Sequence, residues 1–217
     1  MLELHGHPLS TCTRRVLTVL LELGLVDGKD FEVVTEDFAN IKSEEYLAHQ
    51  PFGQMPWLKD TATGFELFES RAISKYVAAK YSSPLLPLAS DLKAYGSFET
   101  AASTEAFNFD LHAAQIARQL VFGPRRGVKT DDARVAAESE ALAGRLDAYE
   151  TILSKHKYLA GNELTLADLF HLPYGKMAQE LGHFKALTDG AHPNVARWWN
   201  EISSLPSWAA ANAYIKQ

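Results

Sequence analysis

Ser10 and Cys12 are the first residues of this 217-residue chain whose types and placement can do chemistry. Both stand where an alternating segment, Leu2-Glu3-Leu4-His5, passes through Gly6-His7-Pro8 into a helical pattern. A helix N-terminus carries unpaired N–H groups and a positive dipole end, so it stabilises an anion such as a thiolate. The same residues also suit structure alone, with Ser10 or Thr11 as a cap and Cys12 as core filler. Glu69-Ser70 begins another helix. There the carboxylate can hold an ammonium group, while hydroxyl and free N–H groups hold a carboxylate. A plain cap with a favourable first-turn acid is the other use. Pro56 opens a strand directly after a loop, a place where a cis bond occurs. A cis bond there would leave the Met55 backbone free to pair with an extended peptide ligand. A simple loop proline is the other reading.

Other constellations fail on spacing. Residues 24–29 resemble a phosphate-cradling loop, but only three residues separate the glycines and no Ser or Thr follows Lys29. Neither Gly-x-Gly-x-x-Gly nor Gly-x-Ser-x-Gly occurs. His5-x-His7 can place two imidazoles on one strand face, but no third ligand lies nearby, so no metal is expected.

The elements that must position these residues follow from periodicity. Leu2 to His5 reads as a strand. Val16, Leu17, Leu20, Leu21 and Leu23 recur at helical spacing, with Gly24 as a stop. Phe31-Glu32-Val33-Val34 is a second strand, and the crossover is long enough for parallel pairing. Residues 43–48 form a short helical turn. Residues 56–59 and 65–68 flank a polar turn as a hairpin. Ser70 then caps a helix carrying Ile73, Tyr76, Val77 and Tyr81. That order predicts an α/β thioredoxin-like domain over 1–82. Ser82-Ser83-Pro84-Leu85-Leu86-Pro87 begins a linker, 83–91. Beyond it strand patterns stop, and helices are expected over about 92–122, 131–155, 165–181 and 193–203, within an all-α domain spanning 92–217. Thr165-Leu166-Ala167-Asp168 is a capping-box variant that predicts a buried, fully hydrogen-bonded Asp168. Trp198 and Trp199 are adjacent, so only one is expected to face the core.

Composition excludes several classes. Hydrophobic residues are 47% and charged residues 22%, an ordinary globular balance. The formal net charge of −6 argues against a general nucleic-acid binder. One cysteine cannot form an internal disulfide. No basic-then-apolar leader is visible at the start, and the richest apolar stretch is too short to span a bilayer. A cytoplasmic protein without membrane contact is expected.

Taken together, these places resemble the cytosolic glutathione transferases, most closely the phi class. The run His7-Pro8-Leu9-Ser10-Thr11-Cys12-Thr13-Arg14-Arg15-Val16 is similar to the family's catalytic segment. Pro51-Phe52-Gly53-Gln54-Met55-Pro56 is similar to its Asn-Pro-Phe-Gly-Gln-Val-Pro loop, and Leu67 to Tyr76 to its glutamyl-binding segment. The segments from Leu159 to Leu169 and from His192 to Trp199 match as well. The resemblance implies a glutathione transferase fold, with Ser10 donating to the glutathione sulfur. Glu69 and Ser70 would hold the γ-glutamyl end, the Met55 backbone beside a cis Pro56 the cysteinyl unit, and Lys42 and Gln54 the glycine end. Ile41 stands where the family often has His, which weakens that end. The resemblance places an electrophile site between the domains, with Leu9, Phe38, Phe107, Phe109, His112, Ile116 and Phe122 as candidates. It implies glutathione as co-substrate with no cofactor, a small apolar electrophile as second substrate, and a homodimer with Phe52 as an aromatic plug.

Three functions follow. The first is conjugation of the glutathione thiolate to apolar electrophiles, with hydroperoxide reduction as a side activity. The second is thiol transfer through Cys12, although the family's cysteine-using classes carry Cys at the Ser10 place. The third is non-catalytic binding of bulky apolar ligands.

Overall fold

The structure is a computed structural model and describes residues 1–214. The chain divides into two units, one of Met1–Leu86 with the segment from Leu205 on, the other of Pro87–Ser204.

The first unit is built on four strands, β1 (Leu2–Gly6), β2 (Phe31–Thr35), β3 (Trp57–Asp60) and β4 (Phe65–Phe68), in the order β2-β1-β3-β4. β1 and β2 run parallel because helix α1 (Thr11–Glu22) lies between them as the crossover. β3 pairs antiparallel with both β1 and β4, His5 opposite Trp57 and Trp57 opposite Phe68. Alternation along β1 turns Leu2 and Leu4 inward onto Val16, Leu17 and Leu20 of α1. Ile73 and Val77 of α3 (Ser70–Lys80) complete that core. Helix α2 (Glu44–His49) follows β2 and is capped by Ser43, whose Oγ accepts from the Tyr46 N–H. Gly6 ends β1 against α1, where a Cβ would lie 2.5 Å from Thr13 Oγ1, so only glycine lets the strand turn into the helix this tightly.

The second unit is helical: α4 (Leu92–Thr104), α5 (Leu111–Ala117), α6 (Asp132–Leu153), α7 (Leu166–Phe170), α8 (Leu172–Glu180) and α9 (Pro193–Ser203). Two wider π-helical stretches, Glu105–Asp110 and Arg118–Phe122, interrupt the first expected helix without ending it. The third is split at His171 because Pro173 has no N–H to give and crowds the preceding turn. α6 and α9 satisfy each other's ends. Glu150 accepts from the Asn194 and Val195 N–H groups, and Arg197 donates to the carbonyls of Leu153, His156 and Lys157.

Three sequence expectations are corrected. The tail is not part of the helical unit: α10 (Pro206–Ala213) packs on α1, with Arg14 Nη1 donating to Asn212 Oδ1 at 3.0 Å and Ala211 buried in the first core. The expected linker is loop, but its residues 83–86 group with the first unit. Both Trp198 and Trp199 are fully buried, since α9 is covered on two sides. Trp198 Nε1 donates to Asp168, and Trp199 lies over Gly175, where a Cβ would come within 2.5 Å of the indole.

Asp168 meets its expectation. It is 0% exposed and accepts from Leu159 N, Thr165 N, Thr165 Oγ1 and Trp198 Nε1 at 3.0–3.1 Å. Burial still holds its carboxyl above the ordinary value, because desolvation outweighs those bonds.

Candidate active site

The candidate glutathione-binding residues all lie in the first unit, at the ends of elements. Ser10 is the N-cap of α1, with extended backbone (φ −73, ψ 125), and its Oγ accepts from the Thr13 N–H at 3.2 Å. Thr11 is already helical and buried, so the cap is Ser10 alone. A serine hydroxyl has one proton and two lone pairs, so accepting from Thr13 leaves the proton uncommitted. No acid occupies the first turn of α1, and its positive end is not neutralised from within. Cys12 is half-buried one residue into the helix, with Arg15 Nη1 3.5 Å from its sulfur.

Glu69, not Ser70, is the N-cap of α3. Its backbone is left-handed (φ 71, ψ 110), its side chain makes no cap bond, and it is exposed. Holding a non-glycine residue there costs about 1–3 kcal/mol, a strain characteristic of functional positions. Ser70 opens the helix, buried, and its Oγ accepts from Arg15 Nη1 at 2.9 Å. The first turn of α3 also lacks an acid.

The loop between α2 and β3 supplies Gln54, Met55 and Pro56, and the connection from β2 to α2 supplies Lys42. The Met55-Pro56 bond is cis. No hydrogen bond from another described residue reaches the Met55 N–H or carbonyl. Lys42 is exposed and donates from Nζ to the Phe52 carbonyl at 2.7 Å, which ties it to the loop. Gln54 is exposed, and its backbone carbonyl accepts from the buried Tyr46 hydroxyl at 2.7 Å. Burial, with Glu36 adding, pushes the Tyr46 phenol well up, so it stays a donor. Phe52 is exposed.

His5 and His7 do not act as a pair. His5 stacks on Trp57 with ring centroids 3.7 Å apart and meets Glu36 at 2.8 Å, while His7 accepts from the Leu9 N–H and packs on Phe38. His49 stacks on the other face of Trp57. Among the described residues no group of His, Cys, Asp and Glu could hold a metal ion.

The electrophile candidates divide. Leu9 and Phe38 are 46% and 47% exposed, and Phe107 is 70% exposed. Phe122 is half-buried. His112 is nearly buried, with Nδ1 2.7 Å from Glu138, whose other oxygen meets Arg134 at 2.7 Å. Phe109 and Ile116 are corrected: both have no exposed surface. Phe109 packs on His171, Phe184 and Tyr149 in the helical core, so helical spacing marked a core stripe rather than a lining.

Arg15 and Tyr46 went unassigned in the sequence. A basic residue one helical turn before Val19 on a largely apolar helix was the available signal for Arg15; Tyr46 carried none.

The models described as "Glutathione S-transferase, N-terminal domain" and "Glutathione S-transferase, C-terminal domain" match residues 2–79 and 109–206. The chain belongs to the glutathione S-transferase family. This transferase is 45% identical to glutathione S-transferase PM239X14 of Arabidopsis thaliana over 202 residues, covering 91% of this chain and 89% of that one. It superposes on glutathione transferase F7 of Populus trichocarpa with a TM-score of 0.90 at 37% identity, covering 99% of each chain. It is also similar to glutathione S-transferase I of maize in complex with an atrazine glutathione conjugate, with a TM-score of 0.87 at 34% identity, covering 99% of this chain and 98% of that one. The likeness to the plant F proteins makes it phi-like, and its co-substrate is glutathione. No described helix is long and apolar enough to cross a membrane.

Proposed function

We propose that this transferase conjugates glutathione to apolar electrophiles in the cytoplasm, with Ser10 stabilising the thiolate. The observation that carries this reading is the α1 N-cap, where Ser10 gives its lone pair to Thr13 and keeps its proton. A hydrogen bond to a charged sulfur stabilises it by about 1.5–3 kcal/mol. At about 1.4 kcal/mol per pKa unit, that lowers the bound thiol by roughly one to two units. No general base is then needed at neutral pH, and the electrophile need only be held beside the sulfur.

Glu69 and Ser70 hold the γ-glutamyl group, the open Met55 backbone beside Pro56 pairs with the cysteinyl unit, and Lys42 and Gln54 meet the glycyl end. Leu9 and Phe38 give the electrophile apolar contacts in the first unit; Phe107, Phe122 and His112 are the helical unit's remaining candidates. The maize relative solved with an atrazine glutathione conjugate supports an electrophile of that kind. The same thiolate attacking a hydroperoxide oxygen breaks the O–O bond and releases the alcohol. A second glutathione thiol then displaces water from the resulting glutathione sulfenic acid to give glutathione disulfide, which is the proposed peroxidase side activity. Exposed Phe52 is the proposed plug of a homodimer.

A second reading has its own observation: Cys12 is a free, half-buried thiol in the first turn of α1, with Arg15 Nη1 3.5 Å from its sulfur, placed where it could exchange with a glutathione disulfide in thiol transfer. One experiment separates these readings. Thiolate absorbance of bound glutathione across pH is followed in wild type, Ser10→Ala and Cys12→Ser. A depressed pKa lost only in Ser10→Ala supports conjugation. A signal that follows Cys12 supports thiol exchange. An unshifted thiol on an enzyme that still binds glutathione sinks the catalytic reading in favour of apolar-ligand binding.

A further inference from the structure

Arg15 is 1% exposed, and its Nη1 donates to Ser70 Oγ at 2.9 Å. We propose that Arg15 is the positioning residue of the glutamyl subsite, fixing Ser70 as a donor toward the α-carboxylate of glutathione. The proposal rests on the reading of Glu69 and Ser70 as that subsite.

The argument is one of proton accounting. A guanidinium only donates, so Ser70 Oγ must accept from it. The serine has a single proton, and with one lone pair held by Arg15 that proton is turned elsewhere. The backbone N–H groups at the start of α3 stand beside it, uncapped by the Glu69 side chain. Those groups and the Ser70 hydroxyl therefore all donate, which is what a carboxylate requires. Without Arg15 the hydroxyl can rotate and spend its proton on a protein acceptor, presenting a lone pair to the ligand instead.

Geometry adds a coupling. Arg15 lies on the same α1 whose cap is Ser10, five residues and roughly 7.5 Å of helix rise further on. Ser70 opens α3. One buried side chain thus ties the helix that carries the thiolate donor to the helix that carries the glutamyl grip. Arg15 makes further contacts as well, so its loss also has a structural cost, and the test must see past that.

The test is steady-state kinetics of the full-length enzyme with an activated aryl halide, comparing wild type, Arg15→Met, Arg15→Lys, Ser70→Ala and the double variant Arg15→Met/Ser70→Ala. Methionine keeps length and loses every donor. Arg15→Met is expected to raise the glutathione KM about tenfold or more, as losing a charge-assisted hydrogen bond does, with kcat and the electrophile KM within about threefold. In the double variant the glutathione KM should match that of Ser70→Ala, because Arg15 acts through Ser70. Arg15→Lys, which keeps the charge and a donor, should restore part of the loss and serves as the readout if Arg15→Met does not fold. A 4-aminobutyryl-cysteinylglycine probe, which lacks the α-carboxylate, should bind wild type and Arg15→Met alike.

Multiplicative effects of the two substitutions, or an Arg15→Met enzyme with unchanged glutathione KM, would overturn the assignment of Arg15 while leaving the subsite intact. So would an Arg15→Lys enzyme no better than Arg15→Met. An unchanged KM in Ser70→Ala would overturn the subsite itself, and Arg15 with it.

Discussion

Asp168 gives the sharpest stability test of the helical unit. It is fully buried, and three backbone or indole N–H donors converge on it together with the Thr165 hydroxyl. Asp168→Ala removes every acceptor. The hydroxyl can turn to another partner, but Leu159 N, Thr165 N and Trp198 Nε1 are stranded out of reach of water. Each stranded donor costs about 1–3 kcal/mol, and removing a desolvated charge returns part of that, so a net loss of about 4 kcal/mol is expected. Asp168→Asn keeps one acceptor oxygen and sets an amide NH₂ against the donors of the other, for a loss of about 2 kcal/mol. For a chain of this size the alanine variant should melt about 8–16 °C lower. Because burial raises the folded-state pKa of Asp168, its contribution to stability is greatest below the unfolded carboxyl value and falls as pH rises through the folded one. Asp168→Asn should flatten that slope. The assay is urea unfolding at several pH values, read with the glutathione KM of the native fraction, which should not move. An alanine variant within 1 kcal/mol of wild type, or an asparagine variant less stable than the alanine one, would refute the reasoning.

Two further outcomes follow from packing and charge. His192 is opposed by partial burial, but Asp147 and Asp189 on its two ring nitrogens outweigh that and hold its pKa above the ordinary value. Its stabilisation should be complete below the unfolded imidazole value and lost as pH rises through the folded one, and thermal melts of His192→Gln should lack that dependence. Gly175→Ala drives a Cβ into Trp199 and should cost about 1–3 kcal/mol by chemical denaturation, with a changed near-UV signal from the indole.

The first unit was the more legible because its elements are short and bounded by strong punctuation. Alternation in Leu2 to His5, the proline and glycine before Ser10 and the polar turn between the hairpin strands each fix an edge locally. The helical unit was read as helices but not as packing. Periodicity says that Phe109 and Ile116 share an apolar stripe, yet both a core and a ligand site satisfy that pattern, and only burial separates them. Trp198 and Trp199 failed a one-face rule because α9 is covered twice, which depends on a glycine in α8, over twenty residues earlier in the chain. The docking of α10 on α1 joins Arg14 to Asn212 across almost the whole sequence, and no local pattern carries such a pairing.

Charge at helix ends links the recognised motifs to one another. On the proposed reading, glutathione brings three anionic groups: a thiolate, an α-carboxylate and a glycyl carboxylate. The first two are assigned to α1 and α3, whose first turns carry no acid and keep their positive ends available. The third cannot use α2 in the same way. Glu44 and Glu45 fill its first turn, and at six residues its dipole is short. A side-chain cation is required there instead, and Lys42, just ahead of the Ser43 cap and anchored on the Phe52 carbonyl, meets that need. The missing acids of α1 and α3, the acids of α2 and the lysine before it are therefore one pattern. Where an anion is assigned to a helix end, at α1 and α3, the first turn carries no acid; where the first turn is acidic, at α2, the positive charge comes from Lys42 ahead of it.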